Sequence, residues 1–314
     1  MNNKYFTIQQ AAEGVWGAVS VPGSGSLGNA AIIDLGDLTV VVDTTNLPQS
    51  GALLRHTAEQ LTNKPVKYVV NTHFHGDHVN GNQEFRNSEF ISTVWTRDLL
   101  SDMGEVNVDF MQQNIRKLIA SLNALRSQQS DPHMLTEIDY DLSVQRALYD
   151  AIPSLCRVVP TITFDDKLVI QGTKRTIEVF SYGGGHSLSD AVVYIPEERT
   201  LIAGDLITNK TIPVMPYGNP YAWIRILKRI QKDLKIDTIV PGHGDVSNSD
   251  RITDVMRFLE STIAYVSRAA TSGQAESCWL EQGVLEGYED WHLPQYFRWN
   301  FRWLFNSMLV QNNR

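Results

Sequence analysis

Four side chains of the kinds that bind transition metals lie within six consecutive residues of this chain. They stand directly after a predicted strand at residues 66–71, in the segment His73-Phe74-His75-Gly76-Asp77-His78. Neutral imidazole and carboxylate groups are the ligands that Zn²⁺ and Fe²⁺ take in proteins. Packing alone does not require three imidazoles and a carboxylate at this spacing, so the segment predicts a metal site to which the fold must bring further ligands.

Three further candidate ligands occupy the same kind of position, in a glycine-containing loop at the end of a predicted strand: His186, Asp205 and His243. Binding sites of α/β proteins form outside the carboxyl ends of strands, where loops converge. Glycine permits the backbone conformations that a tight ligand loop needs. The remaining histidines lie outside these loops and are interpreted as surface or structural residues: His56, His133 and His292.

Strand-like and helical segments interleave along the 314 residues, which is typical of a layered α/β or α+β protein. Because 42% of the residues are apolar, the chain can bury one large core. The sequence therefore predicts a single domain over residues 1–314, which ends in a C-terminal helical extension over residues 249–314.

Residues 97–151 have a different pattern and predict a helical insertion. Apolar residues recur there at alternating spacings of four and three, as on one face of an amphipathic helix: Met111, Ile115, Leu118, Leu122 and Leu125. A second helix is predicted over residues 137–151. Packing of both helices on their own domain is the favoured interpretation, whereas a lid over the active site and a homodimer contact are left open.

The composition argues against two classes of partner. The formal charge is -8, from 27 basic and 35 acidic side chains, and no run of Lys or Arg stands out. Nucleic acids and anionic membrane surfaces both attract basic patches, so neither is expected to bind. The first ten residues lack the apolar stretch of a signal peptide, so a cytoplasmic location is expected. Cys156 and Cys278 have no ligand spacing and are expected to be buried free thiols.

Taken together, the motifs resemble those of the metallo-β-lactamase superfamily of hydrolases. The resemblance covers about residues 15–246 and rests on four segments: His73-x-His75-x-Asp77-His78, Gly183-Gly184-Gly185-His186-Ser187, Ala203-Gly204-Asp205 and Pro241-Gly242-His243. It implies an αββα sandwich, in which two mixed sheets pack together, helices cover them and metal ions lie at one edge. Asp34 and Asp43, which end early predicted strands, also fit the family pattern.

The resemblance implies a role for each candidate ligand. A first metal ion would be bound by His73, His75 and His186. A second would be bound by Asp77, His78 and His243, and Asp205 would bridge the two ions. Two Zn²⁺ ions are implied, with Fe or Mn as options that depend on supply. Such ions lie about 3.5–4 Å apart and share a hydroxide. That hydroxide would attack a small carbonyl substrate, namely a thioester, lactone, ester or β-lactam-like amide, and Asp77 would be the catalytic residue that orients it.

Departures from the family pattern narrow this interpretation. Asp205 is similar to the aspartate of the glyoxalase-II-like branch, whereas some β-lactamases of this fold carry cysteine there. His75 favours a hydrolase over diiron oxygen-reducing relatives, which carry glutamate. Two other classes are left open: a mononuclear-iron oxidoreductase similar to persulfide dioxygenases, and a metal-stabilised scaffold protein. Asn209 and Lys210 follow Asp205 closely and are either substrate-binding residues or part of a solvated loop.

Overall fold

In the computed structural model, residues 3–312 are described, and they form thirteen strands and nine helices. The strands are β1 (Phe6–Ala12), β2 (Val15–Ser20), β3 (Ala30–Asp34), β4 (Thr39–Val42), β5 (Val66–Val70), β6 (Glu89–Thr93), β7 (Ile162–Phe164), β8 (Lys167–Gln171), β9 (Thr176–Gly183), β10 (Asp190–Ile195), β11 (Thr200–Ile202), β12 (Thr238–Val240) and β13 (Ser247–Asn248). The helices are α1 (Pro48–Thr62), α2 (Gly76–Val79), α3 (Val94–Asp102), α4 (Val108–Ser127), α5 (Pro132–Ala151), α6 (Pro220–Asp233), α7 (Asp250–Thr271), α8 (Glu276–Leu280) and α9 (Tyr296–Asn312).

The strands form two mixed sheets, as predicted. In the first sheet, seven strands lie side by side in sequence order; β1 to β4 are antiparallel, and β4 to β7 are parallel. The second sheet has the order β13-β12-β11-β10-β9-β8, and its neighbours are antiparallel except for β11 and β12. Strands β9, β11 and β12 consequently run in the same direction, so their carboxyl ends meet at one edge.

The central strands are buried on both faces, which explains their uninterrupted apolar runs. Successive side chains of a strand point to opposite faces. On β3, Ile33 packs between the two sheets with Val193 of β10, whereas Ile32 packs with Leu54 of α1. On the outer face of the second sheet, helices α6, α7 and α9 bury a third apolar layer around Trp223. The resulting order of helix, sheet, sheet and helix confirms the predicted αββα sandwich.

Helices α3, α4 and α5 lie between β6 and β7, where the insertion was predicted. Leu122 of α4 is buried against Ile138 and Leu142 of α5. The apolar face of α4 differs from the predicted one, since Leu118 is exposed and Ile119 packs in its place. The physical reason is that a helix with 3.6 residues per turn drifts away from a heptad spacing.

Helix α5 begins more than one turn before its predicted start at residue 137. The carboxylate of Asp131 accepts a hydrogen bond from the backbone N–H of His133, which caps the helix. Pro132 then occupies the first helical position, where its missing N–H costs nothing. The sequence contained this start signal, which apolar periodicity alone did not reveal.

Two buried carboxylates of α5 hold the segment before α9. Glu137 Oε1 lies 2.9 Å from His292 Nδ1, and its Oε2 accepts a hydrogen bond from the backbone N–H of Leu293. Asp141 Oδ1 accepts a hydrogen bond from the hydroxyl of Tyr296 at 3.2 Å. The insertion therefore packs on the C-terminal region of its own chain.

Two further features of the described residues concern membrane-spanning helices and the cysteines. Between residues 3 and 312, no helix has both the length and the apolar character needed to cross a membrane. Cys156 and Cys278 are free thiols, but the expectation that they are buried is wrong, because both are exposed. Cys156 lies in the connection after α5 and Cys278 on the short helix α8, and both elements face solvent.

Candidate metal centre

The seven predicted ligands lie in four segments, and each segment follows the carboxyl end of a strand. The segment after β5 contributes four of them, and the loops after β9, β11 and β12 contribute one each. Because β9, β11 and β12 run in the same direction, their loops meet at one edge. The seven residues form two overlapping groups of donor atoms.

Close backbone packing brings the loops together. Gly204 adopts a φ of 50°, and a Cβ there would lie 2.6 Å from Thr72 Oγ1. A Cβ at Gly242 would overlap the carboxylate of Asp205. Glycine is therefore needed at both positions for the Asp205 loop to approach the histidine segment.

The first donor group consists of three histidines and the shared aspartate: His73, His75, His186 and Asp205. His75 Nδ1 and His186 Nε2 are 2.9 Å apart. Asp205 Oδ2 lies 3.3 Å from His186 Nε2 and 3.9 Å from His73 Nε2. All four side chains thus direct a nitrogen or oxygen atom towards one small volume.

The second donor group consists of Asp77, His78, His243 and the same Asp205. His78 Nε2 lies 3.0 Å from Asp205 Oδ1, and His243 Nε2 lies 3.2 Å from Asp205 Oδ2. Asp77 Oδ2 is 3.5 Å from His78 Nε2 and 3.4 Å from His243 Nε2. Asp205 belongs to both groups, as a bridging ligand must.

The chemistry of the donor set fits metal cations. Tetrahedral Zn²⁺ with ligands at 2.0–2.2 Å separates its donor atoms by roughly 3.3 Å, and the separations given above bracket that value. Although His78 Nε2 and Asp205 Oδ1 lie 3.0 Å apart, three buried donor atoms of the site have no partner in hydrogen-bond geometry among the described residues: His73 Nε2, His78 Nε2 and Asp205 Oδ1. Buried polar atoms are rarely left without a partner, and coordination to a cation would provide one.

The charges of the site also favour cations. Burial, together with the neighbouring His186, lowers the pKa of His75 to about 4. Burial also acts to lower the pKa of His243, but Asp205 and Asp77 outweigh it and raise that pKa to about 9. Burial acts to raise the pKa of Asp205, yet the surrounding imidazoles hold it well below its usual range. Asp205 is therefore ionised, and a metal ion would displace the proton from His243.

One buried carboxylate behind the ligands orients two of them. Asp43 Oδ2 lies 2.9 Å from His78 Nδ1 and accepts a hydrogen bond from Thr72 Oγ1 at 2.7 Å. Thr72 Oγ1 in turn lies 3.0 Å from His73 Nδ1. An imidazole that donates through Nδ1 presents the lone pair of Nε2 to a metal ion. Asp43 thus directs the Nε2 atoms of both histidines into the site.

Asp34, which also fits the family pattern, does not lie at this site. Strands β3 and β4 are antiparallel, so Asp34 at the end of β3 and Asp43 just after β4 lie at opposite ends of the sheet. Asp34 Oδ1 instead forms an ion pair with Lys64 at 3.0 Å. Sequence position alone could not separate these two aspartates.

We expect Asp43→Asn to weaken metal binding by about 10- to 100-fold, the usual cost of losing a partner of a metal-ligating histidine. The amide oxygen cannot accept hydrogen bonds from His78 and Thr72 as strongly as the carboxylate does. The measurement is a titration of metal-depleted protein against a competing chelator. Asp34→Asn is the matched control and should bind metal normally. Equal affinities in the two variants would contradict the role of Asp43.

A second buried carboxylate, which the sequence analysis did not identify, holds the loop of His186. Asp190 accepts hydrogen bonds from the backbone N–H of Gly185 at 2.7 Å and from the hydroxyl of Ser187 at 2.6 Å. The His186 ring is held in addition by the backbone carbonyl of Val214, 3.0 Å from Nδ1. The short spacing from His186 to Asp190 was the only signal in the sequence for this contact.

A cavity of about 550 Å³ opens beside the donor groups. His75, Asp77, His186, Asp205 and His243 reach its surface. Much of the remaining wall is apolar or aromatic and comes from distant parts of the chain: Leu27, Phe74, Ile212, Val214, Leu293 and Trp299. The size is that of a small-molecule site.

Asn209 and Lys210, the candidate substrate-binding residues, do not line this cavity. Lys210 Nζ forms an ion pair with Asp290 at 2.8 Å, and both side chains are exposed. The amide of Asn209 donates to the backbone carbonyl of Asp245. Both residues border a smaller depression that His243 also reaches. Their positions favour the solvated loop over a substrate contact.

Comparison with known proteins supports the superfamily assignment. Residues 23–243 match the family model described as the metallo-beta-lactamase superfamily. A linear primary-alkylsulfatase from Pseudomonas sp. (strain ATCC 19151) is 25% identical over 241 residues, which are 72% of this chain and 43% of that protein. A metallo-beta-lactamase type 2 from Bacteroides fragilis is 28% identical over 112 residues, which are 33% of this chain and 45% of that protein. The matched regions thus span less than half the length of either relative.

A metallo-beta-lactamase from Pontibacter korlensis has a similar solved structure, with a TM-score of 0.59 and 17% sequence identity. The superposition covers 81% of this chain and 99% of that one, and at this identity it shows the fold alone. The family model, in contrast, matches well over half of the chain in sequence. Because the sequence match and the shared fold agree, this chain belongs to the metallo-beta-lactamase superfamily.

Proposed function

We propose that this chain is a metal-dependent hydrolase that acts on a small molecule held in the cavity beside the metal centre. The position of Asp205 in both donor groups carries this proposal, because a shared carboxylate suits two neighbouring cations. A structural zinc site is a closed set of four ligands. Seven donor residues that open onto a cavity exceed that need, so a scaffold role has less support.

Cations held by these residues would act as Lewis acids and would lower the pKa of a nearby water molecule. The chain's own contribution is to place proton acceptors beside an apolar cavity wall. Asp77 lines the cavity, and its carboxylate is ionised because His78 and His243 hold its pKa well below the usual range, against the effect of burial. We assign to Asp77 the task of holding or accepting a proton beside the reacting group.

The substrate class is proposed from membership of the superfamily. A small carbonyl compound, namely a thioester, lactone, ester or β-lactam-like amide, is our first proposal, and the glyoxalase-II-like branch within the superfamily stays a prediction. The name of the Pseudomonas relative adds a second candidate bond, that of a primary alkyl sulfate ester. A mononuclear-iron oxidoreductase is the alternative class. The second donor group around Asp205 supports the hydrolase over that alternative.

Metal removal tests the proposal directly. We expect the purified protein to contain about two transition-metal ions per chain, as in other two-metal sites, and to lose hydrolytic activity on chelation. Added Zn²⁺, Fe²⁺ or Mn²⁺ should restore activity to different degrees. Elemental analysis and a screen of thioester, lactone, carboxylic ester, β-lactam and alkyl sulfate substrates provide the readouts. One iron per chain together with oxygen consumption would instead identify the oxidoreductase.

A further inference from the structure

In the described part of the chain, the cavity wall away from the donor groups offers no cation to a second charge on the substrate. Among residues 3–312, no lysine or arginine lines it, and the charged or ionisable side chains on its surface, apart from Tyr217 and Tyr296, belong to the donor groups. Lys210 borders the neighbouring depression and is already paired with Asp290. A carboxylate or ammonium group buried along this wall, away from the donor groups, would therefore lose its hydration without gaining an ion-pair partner.

Apolar side chains continue from the cavity wall to its mouth. Leu188, Tyr217 and Trp299 line the cavity and are 55%, 68% and 47% exposed. Single exposed apolar residues are common on protein surfaces. Three of them line this one cavity, so its apolar lining includes side chains that reach solvent. Such a lining suits an apolar chain that is longer than the cavity is deep.

We propose that the substrate is an amphiphile with a hydrolysable group at one end and an uncharged alkyl or aryl chain at the other. This proposal rests on the proposed function. The hydrolysable group lies against the donor groups, and the chain lies along the apolar wall towards Trp299. Substrates that carry a second charged group, such as glutathione thioesters and β-lactams with a carboxylate, bind poorly. The candidate carbonyl substrates therefore differ in affinity through the part of the molecule remote from the scissile bond rather than through that bond itself.

Binding of neutral alcohols tests the cavity without any reaction. The metal-loaded protein is titrated by calorimetry with 1-hexanol, 1-octanol and 1-decanol. Burial of one methylene strengthens binding by about fourfold, equivalent to about 0.8 kcal/mol, so affinity should rise steeply along the series until the chain passes the mouth. An affinity that does not change with chain length would overturn the proposal.

A matched pair of esters tests the exclusion of a second charge. We expect para-nitrophenyl hexanoate to react with a higher kcat/KM than the mono-para-nitrophenyl ester of adipate, which has the same six-carbon acyl chain but ends in a carboxylate. Trp299→Arg places a cation at the mouth and should raise the adipate-to-hexanoate ratio about two- to fivefold, the worth of an exposed ion pair. Trp95→Arg is the control, because Trp95 is an exposed helical tryptophan that does not line the cavity.

The outcomes separate this proposal from the proposed function. Hydrolysis with equal rates for both esters, or an equal change of the ratio in the two arginine variants, would overturn the amphiphile proposal and leave the hydrolase standing. Chain-length-dependent binding by a fully metal-loaded protein that hydrolyses no thioester, lactone, carboxylic ester, β-lactam or alkyl sulfate would support the apolar cavity and overturn the hydrolase. Both the amphiphile proposal and the hydrolase would be supported if alcohols bind more tightly as their chains lengthen and the adipate-to-hexanoate ratio shifts only in Trp299→Arg.

Discussion

Asp77→Asn is expected to lower kcat at least about a hundredfold while the protein remains folded, since general-base help from a positioned side chain contributes about 10²–10⁴ in rate. Asp77 Oδ2 lies within 3.5 Å of both His78 Nε2 and His243 Nε2, and the side chain reaches the cavity. Asparagine keeps the size of the side chain but removes its charge. The variant therefore loses both a proton acceptor and an anionic ligand of the second donor group.

The competing explanation is that Asp77 stabilises only the first turn of α2, which starts at Gly76. In the first turn a carboxylate acts mainly through the helix dipole, worth about 0.3–1 kcal/mol, so that explanation predicts slightly lower stability but almost normal turnover. Steady-state kinetics, metal content and thermal unfolding measured on the same preparation distinguish the two. Asp245→Asn is the control, because Asp245 follows His243 closely but lies outside the donor groups. Normal kcat with full metal content in Asp77→Asn would contradict the assignment.

Asp205→Asn is expected to reduce the affinity for both metal ions by more than about 100-fold. That is more than the loss of a residue that only hydrogen-bonds to a ligand usually costs, which is at most about 100-fold. Asp205 lies within 3.3 Å of nitrogen atoms of His78, His186 and His243. An amide cannot bridge two cations as an anion does, so both sites should lose metal together and activity should fall with them. Elemental analysis after dialysis and a chelator titration measure the effect.

Asp190→Asn is the matched comparison for this variant. Asp190 is buried like Asp205 and also carries a carboxylate, but it holds the loop of His186 from behind and belongs to neither donor group. We expect it to weaken metal binding by about 10- to 100-fold, as the loss of an outer partner does. Retention of two metal ions by Asp205→Asn, or a smaller loss than in Asp190→Asn, would show that Asp205 is not the bridge.

Local patterns in the sequence were sufficient to predict the ligand segments. Four donors occur within six residues, and the other three follow short β-branched runs and glycines, so both signals lie within windows of a few residues. The sandwich was predictable for a related reason. Strands that are apolar on both faces, such as β3, must be covered on both sides, and interleaved helices provide the outer layers.

The tertiary structure decided which polar residues support the ligands and which residues form the cavity. Asp43 and His78 are 35 positions apart, and nothing in the sequence distinguishes Asp43 from Asp34. Leu27, Val214 and Trp299 meet at the cavity only because two loops and helix α9 converge there. Lys210 follows the ligand Asp205 closely in sequence, yet its side chain forms an ion pair with Asp290 instead of reaching the cavity. Periodicity and spacing report on contacts a few residues away, whereas these contacts depend on how the two sheets, the insertion and the C-terminal helices pack.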